Sequence, residues 1–204
     1  MLKMNDSLFS TVRKRILNTE MGEILFSSDF SDLNDNKSVN KILSRLVNEG
    51  RIERISQGIY LRAEKTNFGI LIPSLNEIAN AIAKRDKVKI FPSGNTALNM
   101  IGLSTQVPMV AEYITSGSAR TINIRNRKIV FSRATPKNFE YKNDLIHLAV
   151  VSLKKIGQEN VSNEVIGALE NLLSNRNNLY FWKEDIQLAP VWIRKMLTEI
   201  IEKD

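Results

Sequence analysis

An amphipathic helix, a glycine and two short strands follow one another between residues 37 and 62, and this order constrains the fold most. Apolar residues at i, i+3, i+4, i+7 and i+8 predict a helix over 37–49: Val39, Ile42, Leu43, Leu46 and Val47. Gly50 follows where a left-handed C-terminal cap belongs. The runs RIERI and IYLR predict two strands joined through Gly58, which suits a turn with positive φ.

The residues before this segment predict the rest of a small domain. Apolar spacing indicates a helix over 7–18, and EILF indicates a strand at 23–26. We expect Ser27 or Ser28 to cap a short helix that ends at Leu33, and Asn36 to cap the helix at 37–49. The order helix, strand, helix, helix and hairpin predicts a winged helix-turn-helix over residues 1–65.

In a winged helix-turn-helix the third helix lies in the DNA major groove with its polar face towards the bases. The candidate DNA contacts are the polar residues of that face and of the hairpin: Lys37, Ser38, Asn40, Lys41, Ser44, Arg45, Arg54 and Gln57. Arg62, after the second strand, is a further candidate for the DNA backbone. Two alternatives remain open, because a charged helix face is often only solvated and winged helices also bind proteins.

The polar run RAEKTN at 62–67 predicts a boundary, with a second domain over 66–204. Ser74 and Glu77 have the spacing of a capping box and start a predicted helix. The strand patterns are KVKIF at 87–91, VAEYITSG, and two runs of RTINIRNRKIVFSRA joined at 126–127. Helices are predicted over 143–156, 162–175 and 190–202. The fold class is therefore α+β: a winged helix-turn-helix followed by a mixed α/β domain with a small sheet and a helical C-terminus.

Positive charge is concentrated in the middle of the chain, whose formal net charge is +7. No Asp or Glu occurs between Glu112 and Glu140. The candidate surface for a polyanion or an acidic protein partner consists of Arg120, Arg125, Arg127 and Lys128. Such a stretch attracts nucleic acid or an acidic protein face, although it can equally be a solvated basic strand edge.

No pattern for catalysis stands out. PSGNTAL suggests a phosphate loop, but the chain has no G-K-[ST], so a plain strand-to-helix turn is favoured. Gly117–Ser118 suggests a nucleotidyltransferase, which needs paired carboxylates that this stretch lacks. His147, the one histidine, lies on a predicted buried helix, and there is no cysteine. We therefore expect no enzyme activity, no catalytic residue, no metal site and no cofactor.

The sequence also favours a cytoplasmic protein without a membrane partner. The opening residues MLKMNDSLFSTVRKRIL lack an apolar run before a small-residue cleavage site, so we expect no secretory signal. The longest apolar patch, LIHLAVVSL, is too short to span a bilayer. The absence of cysteine fits a reducing compartment.

Two segments resemble the AbiEi-type antitoxins of type IV (abortive infection) toxin–antitoxin systems. LSRLVNEGRIERISQGIYL is similar to the helix, glycine and wing at their N-termini. PSGNTALNMIGLSTQVPMVAEYITSGSARTINIRNRKIVFSRATP is similar to the core of their second domain, most distinctively in TALNMIGLSTQVP and YITSG.

The resemblance implies two roles. The winged helix would bind double-stranded DNA in the chain's own promoter and repress its operon. The second domain would counteract a cognate nucleotidyltransferase toxin or its target, without requiring a stable complex with the toxin. Two alternatives from other classes remain: a ligand-responsive winged-helix regulator, and an RNA-binding protein that uses the basic hairpin at 120–133.

Overall fold

The computed structural model describes residues 2–67, 69–104 and 108–203 and shows an α+β protein with small sheets. Thr105, Gln106 and Val107, which belong to the distinctive run TALNMIGLSTQVP, lie outside the described residues. The chain divides into two compact units, Met1–Ala81 with Asn123–Asn126 and Ile82–Ile122 with Arg127–Asp204. The domain boundary placed at residue 65 from the sequence stays a prediction.

The N-terminal part of the first unit, up to Leu61, combines two α-helices with a three-stranded sheet. Its elements in chain order are α1 (Leu2–Leu17), β1 (Ile24–Phe26), a 3₁₀ helix (Ser27–Leu33), α2 (Asn36–Asn48), β2 (Glu53–Ser56) and β3 (Ile59–Leu61). β3 lies between β1 and β2 and pairs antiparallel with both strands. The predicted helix over 37–49 and the strands around it are confirmed as elements.

An apolar cluster joins α1, α2 and the sheet of the first unit. Its buried members are Val12, Ile16, Leu25, Phe30, Val39, Ile42, Leu43, Leu46, Ile52 and Tyr60. Four of the five residues of the predicted stripe on α2 are among them, and Val47 packs half-buried against the cluster. Since a fully buried Leu or Ile side chain contributes about 1.5–3 kcal/mol, this stripe fixes which face of α2 remains outside.

The predicted cap of the short helix before α2 is wrong. The N-terminal cap is Phe26, which makes no side-chain capping hydrogen bond, so neither Ser27 nor Ser28 has the expected role. Instead, the Phe26 N–H donates to Asp29 Oδ2 at 2.8 Å. The Asp29 carboxylate thus reaches back to the N–H of the cap residue itself, whereas a serine cap would have accepted from an N–H of the first turn.

A second hairpin follows in the segment predicted to be a polar boundary. β4 (Glu64–Thr66) and β5 (Gly69–Leu71) pair antiparallel, and α3 (Leu75–Asp86) follows. The capping box is confirmed, because Ser74 N–H donates to Glu77 Oε2 at 2.7 Å and Glu77 N–H donates to Ser74 Oγ at 3.2 Å. β4 was missed because backbone pairing requires no apolar side chains.

A four-stranded sheet occupies the middle of the sequence. Its elements are β6 (Ile90–Pro92), α4 (Gly94–Met100) between strands, β7 (Val110–Thr115), β8 (Arg120–Ile124) and β9 (Arg127–Arg133). The strand order is β6-β7-β9-β8, with β7 antiparallel to β6 and parallel to β9. The strand predicted over 87–91 begins only at Ile90. Its Pro92 lacks an N–H donor, which suits an edge strand.

The C-terminal part of the second unit is helical, as predicted. A 3₁₀ helix (Pro136–Phe139) precedes α5 (Asp144–Ile156), α6 (Asn163–Leu172), α7 (Trp182–Asp185) and α8 (Val191–Glu202). α5, α6 and α8 contribute most of an apolar cluster that also includes Ala97 and Ile101 near α4. Trp182 and Trp192 pack half-buried against this cluster.

A buried polar pair fixes the start of α5. Asn143 caps the helix, with its Oδ1 accepting from the N–H groups of Leu145 and Ile146. The Asp185 carboxylate, 1% exposed, accepts from the N–H groups of Lys142 and Asn143. These bonds satisfy a buried charge entirely with backbone donors, so we assign the carboxylate a structural role.

Candidate nucleic-acid interface

The polar face of α2 presents a row of exposed polar side chains on one side of the helix. The positions i, i+3, i+4, i+7 and i+11 of this face are Lys37, Asn40, Lys41, Ser44 and Asn48, and all five are exposed. Asn48 was not among the candidate contacts, although the helical period places it with them. Ser44 Oγ donates to the Asn40 carbonyl at 2.9 Å, which leaves its oxygen as an acceptor.

An acidic residue starts this helix. Asp35, rather than the predicted Asn36, is the N-terminal cap, and its Oδ1 accepts from the Ser38 N–H at 2.9 Å. Hydrogen bonding from the side chain and the backbone of Ser38, together with the charges of Lys41 and Lys37, holds the pKa of the Asp35 carboxyl below its ordinary value. The interface therefore combines two cations with one fixed anion at its N-terminal end.

Two of the predicted contacts lie on the flank of the polar face. Ser38 is half-buried. The Arg45 guanidinium lies 4.4 Å from the centre of the Phe9 ring, and its Nε donates to Glu49 Oε1 at 2.9 Å. Arg45 is thus already paired inside the first unit, although an exposed pair contributes only about 0–1 kcal/mol and can exchange for a phosphate.

The end of α2 and the hairpin follow the predicted geometry. Gly50 has φ +66°, and the N–H groups of Gly50 and Arg51 donate to the carbonyls of Val47 and Leu46, which forms a Schellman motif. Gly58 has φ +67° in the hairpin turn. The two predicted hairpin contacts, Arg54 and Gln57, are exposed, as is Arg51. Arg51 was not predicted, although its charge next to the helix end was visible in the sequence.

Arg62 does not face solvent as the sequence suggested. It is half-buried, and its Nη1 donates to the carbonyl oxygen of Leu17 at 2.7 Å and to that of Thr19. A cation at these carbonyls satisfies acceptors that the end of α1 leaves free. Arg62 therefore holds α1 against the strands of the first unit and is removed from the candidate contacts.

Some of the cations in the basic stretch 120–133 form ion pairs with acidic residues of the same unit. Arg120 pairs with Asp86, and its guanidinium lies 5.4 Å from the centre of the Phe131 ring. Although burial opposes it, hydrogen bonding from Arg85 and Arg120 keeps the pKa of Asp86 below its ordinary value. Arg120 is thus a structural cation of the second unit.

The other three predicted cations of this stretch differ in exposure. Arg125 has φ +54° and donates from Nη2 to Glu53 Oε1 at 2.6 Å within the first unit. Arg127 is half-buried, whereas Lys128 is exposed. Of the four predicted surface cations, Lys128 is therefore the one best placed to meet a polyanion.

The segment PSGNTAL already holds an anion of its own. The Glu112 Oε2 of β7 accepts from the Asn95 N–H at 2.7 Å, at the start of α4. The Glu112 N–H in turn donates to Thr96 Oγ1 at 2.7 Å. Gly94 has φ +53°, and a Cβ there would overlap the Glu112 carboxylate. An internal carboxylate occupies the place of a phosphate, which supports the strand-to-helix turn over the phosphate loop.

Gly117, which suggested a nucleotidyltransferase in the sequence, lies in a closely packed part of the second unit. Gly117 packs closely on Val88, and its N–H donates to Thr115 Oγ1 at 3.1 Å. Within residues 2–67, 69–104 and 108–203, no group of three or more acidic or histidine side chains is arranged to hold a metal ion. None of the helices described is both long enough and apolar enough to cross a membrane.

His147 is buried in an aromatic stack. Its ring lies between those of Phe91 and Tyr141, with centroid distances of 3.6 and 4.2 Å. Burial, with a smaller effect of the Lys154 charge, lowers the pKa of His147 to about 3. Its Nε2 has no hydrogen-bond partner among the described residues. A neutral ring without an orienting group agrees with the structural role expected from the sequence.

The chain belongs to a family described as a family of unknown function, DUF6088, whose model matches residues 11–179. The matched range includes α2, the hairpin after it, the four-stranded sheet and α5 and α6. No curated protein matches the sequence.

Proposed function

We propose that the first unit is a winged helix-turn-helix that binds double-stranded DNA, with α2 in the major groove and the β2–β3 hairpin as its wing. The exposed polar face of α2, beside a helix end closed by Gly50, is the observation that carries this proposal. Lys37 and Lys41 supply charge for phosphates or guanine edges, while Asn40 has the amide that pairs bidentately with adenine.

The positions along α2 divide these contacts. Recognition helices approach the bases with their N-terminal residues, which here are Lys37, Asn40 and Lys41. Arg54 and Gln57 in the hairpin face the neighbouring backbone in this arrangement. Base contacts carry sequence preference, whereas backbone contacts position the protein on any sequence.

Binding to the chain's own promoter fragment, with a scrambled fragment as competitor, tests this proposal. Asn40→Ala and Lys41→Ala should each weaken specific binding by about 1–3 kcal/mol, and Asn40→Ala should also relax sequence preference. Arg13→Ala, which removes an exposed cation from α1, is the matched control and should change binding little. Equal affinities for wild type and both α2 variants would exclude this face as the reader.

We further propose that the chain is the antitoxin of a type IV toxin–antitoxin pair, acting in the cytoplasm against a nucleotidyltransferase toxin or its target. The similarity of residues 92–136 to the second domain of AbiEi-type antitoxins supports this role. In this proposal the paired carboxylates that a nucleotidyltransferase needs belong to the separate toxin, and this chain lacks them after Gly117–Ser118. In this arrangement the first unit represses the operon and the second unit counteracts the toxin.

Co-expression with the protein of the adjacent reading frame tests the antitoxin role through rescue of growth. Wild type should restore growth, and Asn40→Ala should restore it equally, because repression and rescue reside in different units. Lys128→Glu should weaken rescue if the basic stretch takes part. Failure of wild type to rescue any neighbouring toxin would refute the antitoxin role without affecting the DNA-binding proposal.

A further inference from the structure

A pocket of about 290 Å³ lies in the second unit, away from every residue assigned a function above. Its lining comes from the 3₁₀ helix at 136–139, from α5 and from the segment before α8: Lys137, Asn138, Tyr141, Lys154, Leu188, Ala189 and Pro190. This volume is close to the lower end of the range of about 300–1,000 Å³ seen for small-molecule sites. The pocket therefore suits a small metabolite.

Two lysines converge on this pocket, and none of the residues that line it is acidic. Burial and the neighbouring charge of Lys137 together lower the pKa of the Lys154 ammonium. Two cations that repel each other across a cavity are stabilised by an anion between them. The pocket thus has the electrostatic character of an anion site.

A residue that lines the same pocket, Tyr141, carries an unused donor. The Tyr141 hydroxyl is buried and has no hydrogen-bond partner among the described residues. Burial and the charge of Asp185 raise the pKa of Tyr141 to about 12, so the phenol stays protonated and able to donate. A buried hydroxyl without a partner costs about 1–3 kcal/mol, a cost that a bound acceptor would remove.

The pocket also reaches the start of α8. Pro190 is the N-terminal cap of this helix, and its side chain makes no capping hydrogen bond. Those N–H groups favour a negative charge nearby. The contrast with α4 is direct, because the Glu112 carboxylate accepts from the Asn95 N–H at its start.

We propose that this pocket binds the phosphate group of a small phosphorylated metabolite. Lys137 and Lys154 neutralise the phosphate, the Tyr141 hydroxyl donates to one of its oxygens, and the apolar edge of Leu188, Ala189 and Pro190 contacts the organic part. This site goes beyond DNA binding and toxin rescue, and neither proposal depends on it.

Titration of the full-length protein with inorganic phosphate and with ribose 5-phosphate, at constant ionic strength set by chloride, tests the site. We expect both probes to shift backbone amide NMR signals of residues 137–141 and 188–190. Ribose 5-phosphate should bind more tightly because it also fills the apolar edge. Inorganic phosphate binding as tightly as the ester would refute a metabolite site, and no shift with either probe would refute the phosphate site altogether.

Variants separate this pocket from general surface charge. Lys154→Gln should weaken ribose 5-phosphate binding about tenfold or more, the usual effect of losing a hydrogen bond to a charged group. Tyr141→Phe keeps the ring on His147 and should weaken binding by a smaller factor. Lys155→Gln changes the next cation on α5, which does not line the pocket, and should leave affinity unchanged. Equal losses in Lys154→Gln and Lys155→Gln would overturn the assignment.

Discussion

The polar face of α2 and the polar segments around the four-stranded sheet look alike in sequence and differ in what their groups bind. On α2, Lys37 and Lys41 take part in none of the ion pairs found among the described residues. Around the sheet, Arg120 and the start of α4 are each satisfied by a carboxylate of the same unit.

The polar groups around the sheet therefore stabilise the fold, whereas those on α2 remain available for a binding partner. Removal of a side chain that is already hydrogen-bonded or ion-paired within the protein should mainly reduce stability. An exposed side chain without an internal partner contributes mainly to binding, because surface substitutions usually change stability by less than about 0.5 kcal/mol.

Gly94→Ala should give the largest loss of stability. The new Cβ displaces the Glu112 carboxylate from the Asn95 N–H and forces alanine into a left-handed conformation. We expect about 2–5 kcal/mol of destabilisation from the lost charged hydrogen bond and the backbone strain. Chemical denaturation measures it.

Gly102→Ala is the matched control for Gly94→Ala. Gly102 also has positive φ, +83°, but a Cβ there meets no atom within 4 Å. We expect only the backbone term, about 1–2 kcal/mol. If both variants lose the same amount, the Glu112 carboxylate does not stabilise the start of α4 and the segment regains its interest as an anion site.

His147 should make the stability of the second unit depend on acidity. Its pKa is about 3 in the folded protein against an ordinary value of 6.5, so the unfolded chain binds a proton that the folded chain does not between these values. Stability then falls as pH decreases from 6.5 towards 3, by about 1.4 kcal/mol per pH unit, and is unaffected by this group above that range.

His147→Phe keeps an aromatic ring between Phe91 and Tyr141 without a titrating nitrogen. Relative to this variant, wild type should therefore lose stability as pH decreases from 7 to 4.5. Denaturation at several pH values measures it, and subtraction removes the common contribution of the carboxylates. A difference that is constant over this range would show that His147 is solvated in the folded state.

Local sequence patterns anticipated the elements whose partners are close in sequence. The stripe of α2, the turns at Gly50 and Gly58 and the Ser74–Glu77 capping box are of this kind, because period, cap and turn chemistry are local. The same holds for the hairpin of β8 and β9, although its turn lies at 125–126 rather than 126–127.

Features that depend on distant residues were not predictable. Arg62 looked like a wing residue because nothing local indicates that the carbonyl of Leu17, far away in sequence, needs a donor. The role of Glu112 at the start of α4, the aromatic stack on His147 and the pocket before α8 are all formed by tertiary packing. On α2 the period gave the exposed face, but it could not show that Phe9 and Glu49 already engage Arg45.

Arg120→Gln and Lys128→Gln compare a paired and an exposed cation of the basic stretch. Arg120→Gln should destabilise the second unit by about 1–2 kcal/mol, because it removes one of the two arginine partners of Asp86 and the contact with Phe131. Lys128→Gln should leave stability within about 0.5 kcal/mol. Thermal denaturation checks both.

Binding of a single-stranded RNA completes this comparison. If the stretch 120–133 binds RNA, Lys128→Gln should weaken binding and lower its salt dependence, since each neutralised phosphate contributes to that slope. Weaker binding by Arg120→Gln at a temperature where it remains folded would contradict its assignment as a structural cation.

The smallest expected effect concerns the acidic cap of α2. Asp35→Asn keeps an oxygen that accepts from the Ser38 N–H, and Asn caps helices about as well as Asp, so stability should hardly change. It removes a negative charge that acts on Lys37 and Lys41. If this face binds DNA, affinity should rise about two- to fivefold at low salt, and the gain should shrink as salt screens the charge.

Glu20→Gln removes an equal charge from the segment between α1 and β1 and is the matched control. An equal gain in both variants would mean that net charge alone is responsible, whereas a gain confined to Asp35→Asn would place the phosphates beside the start of α2.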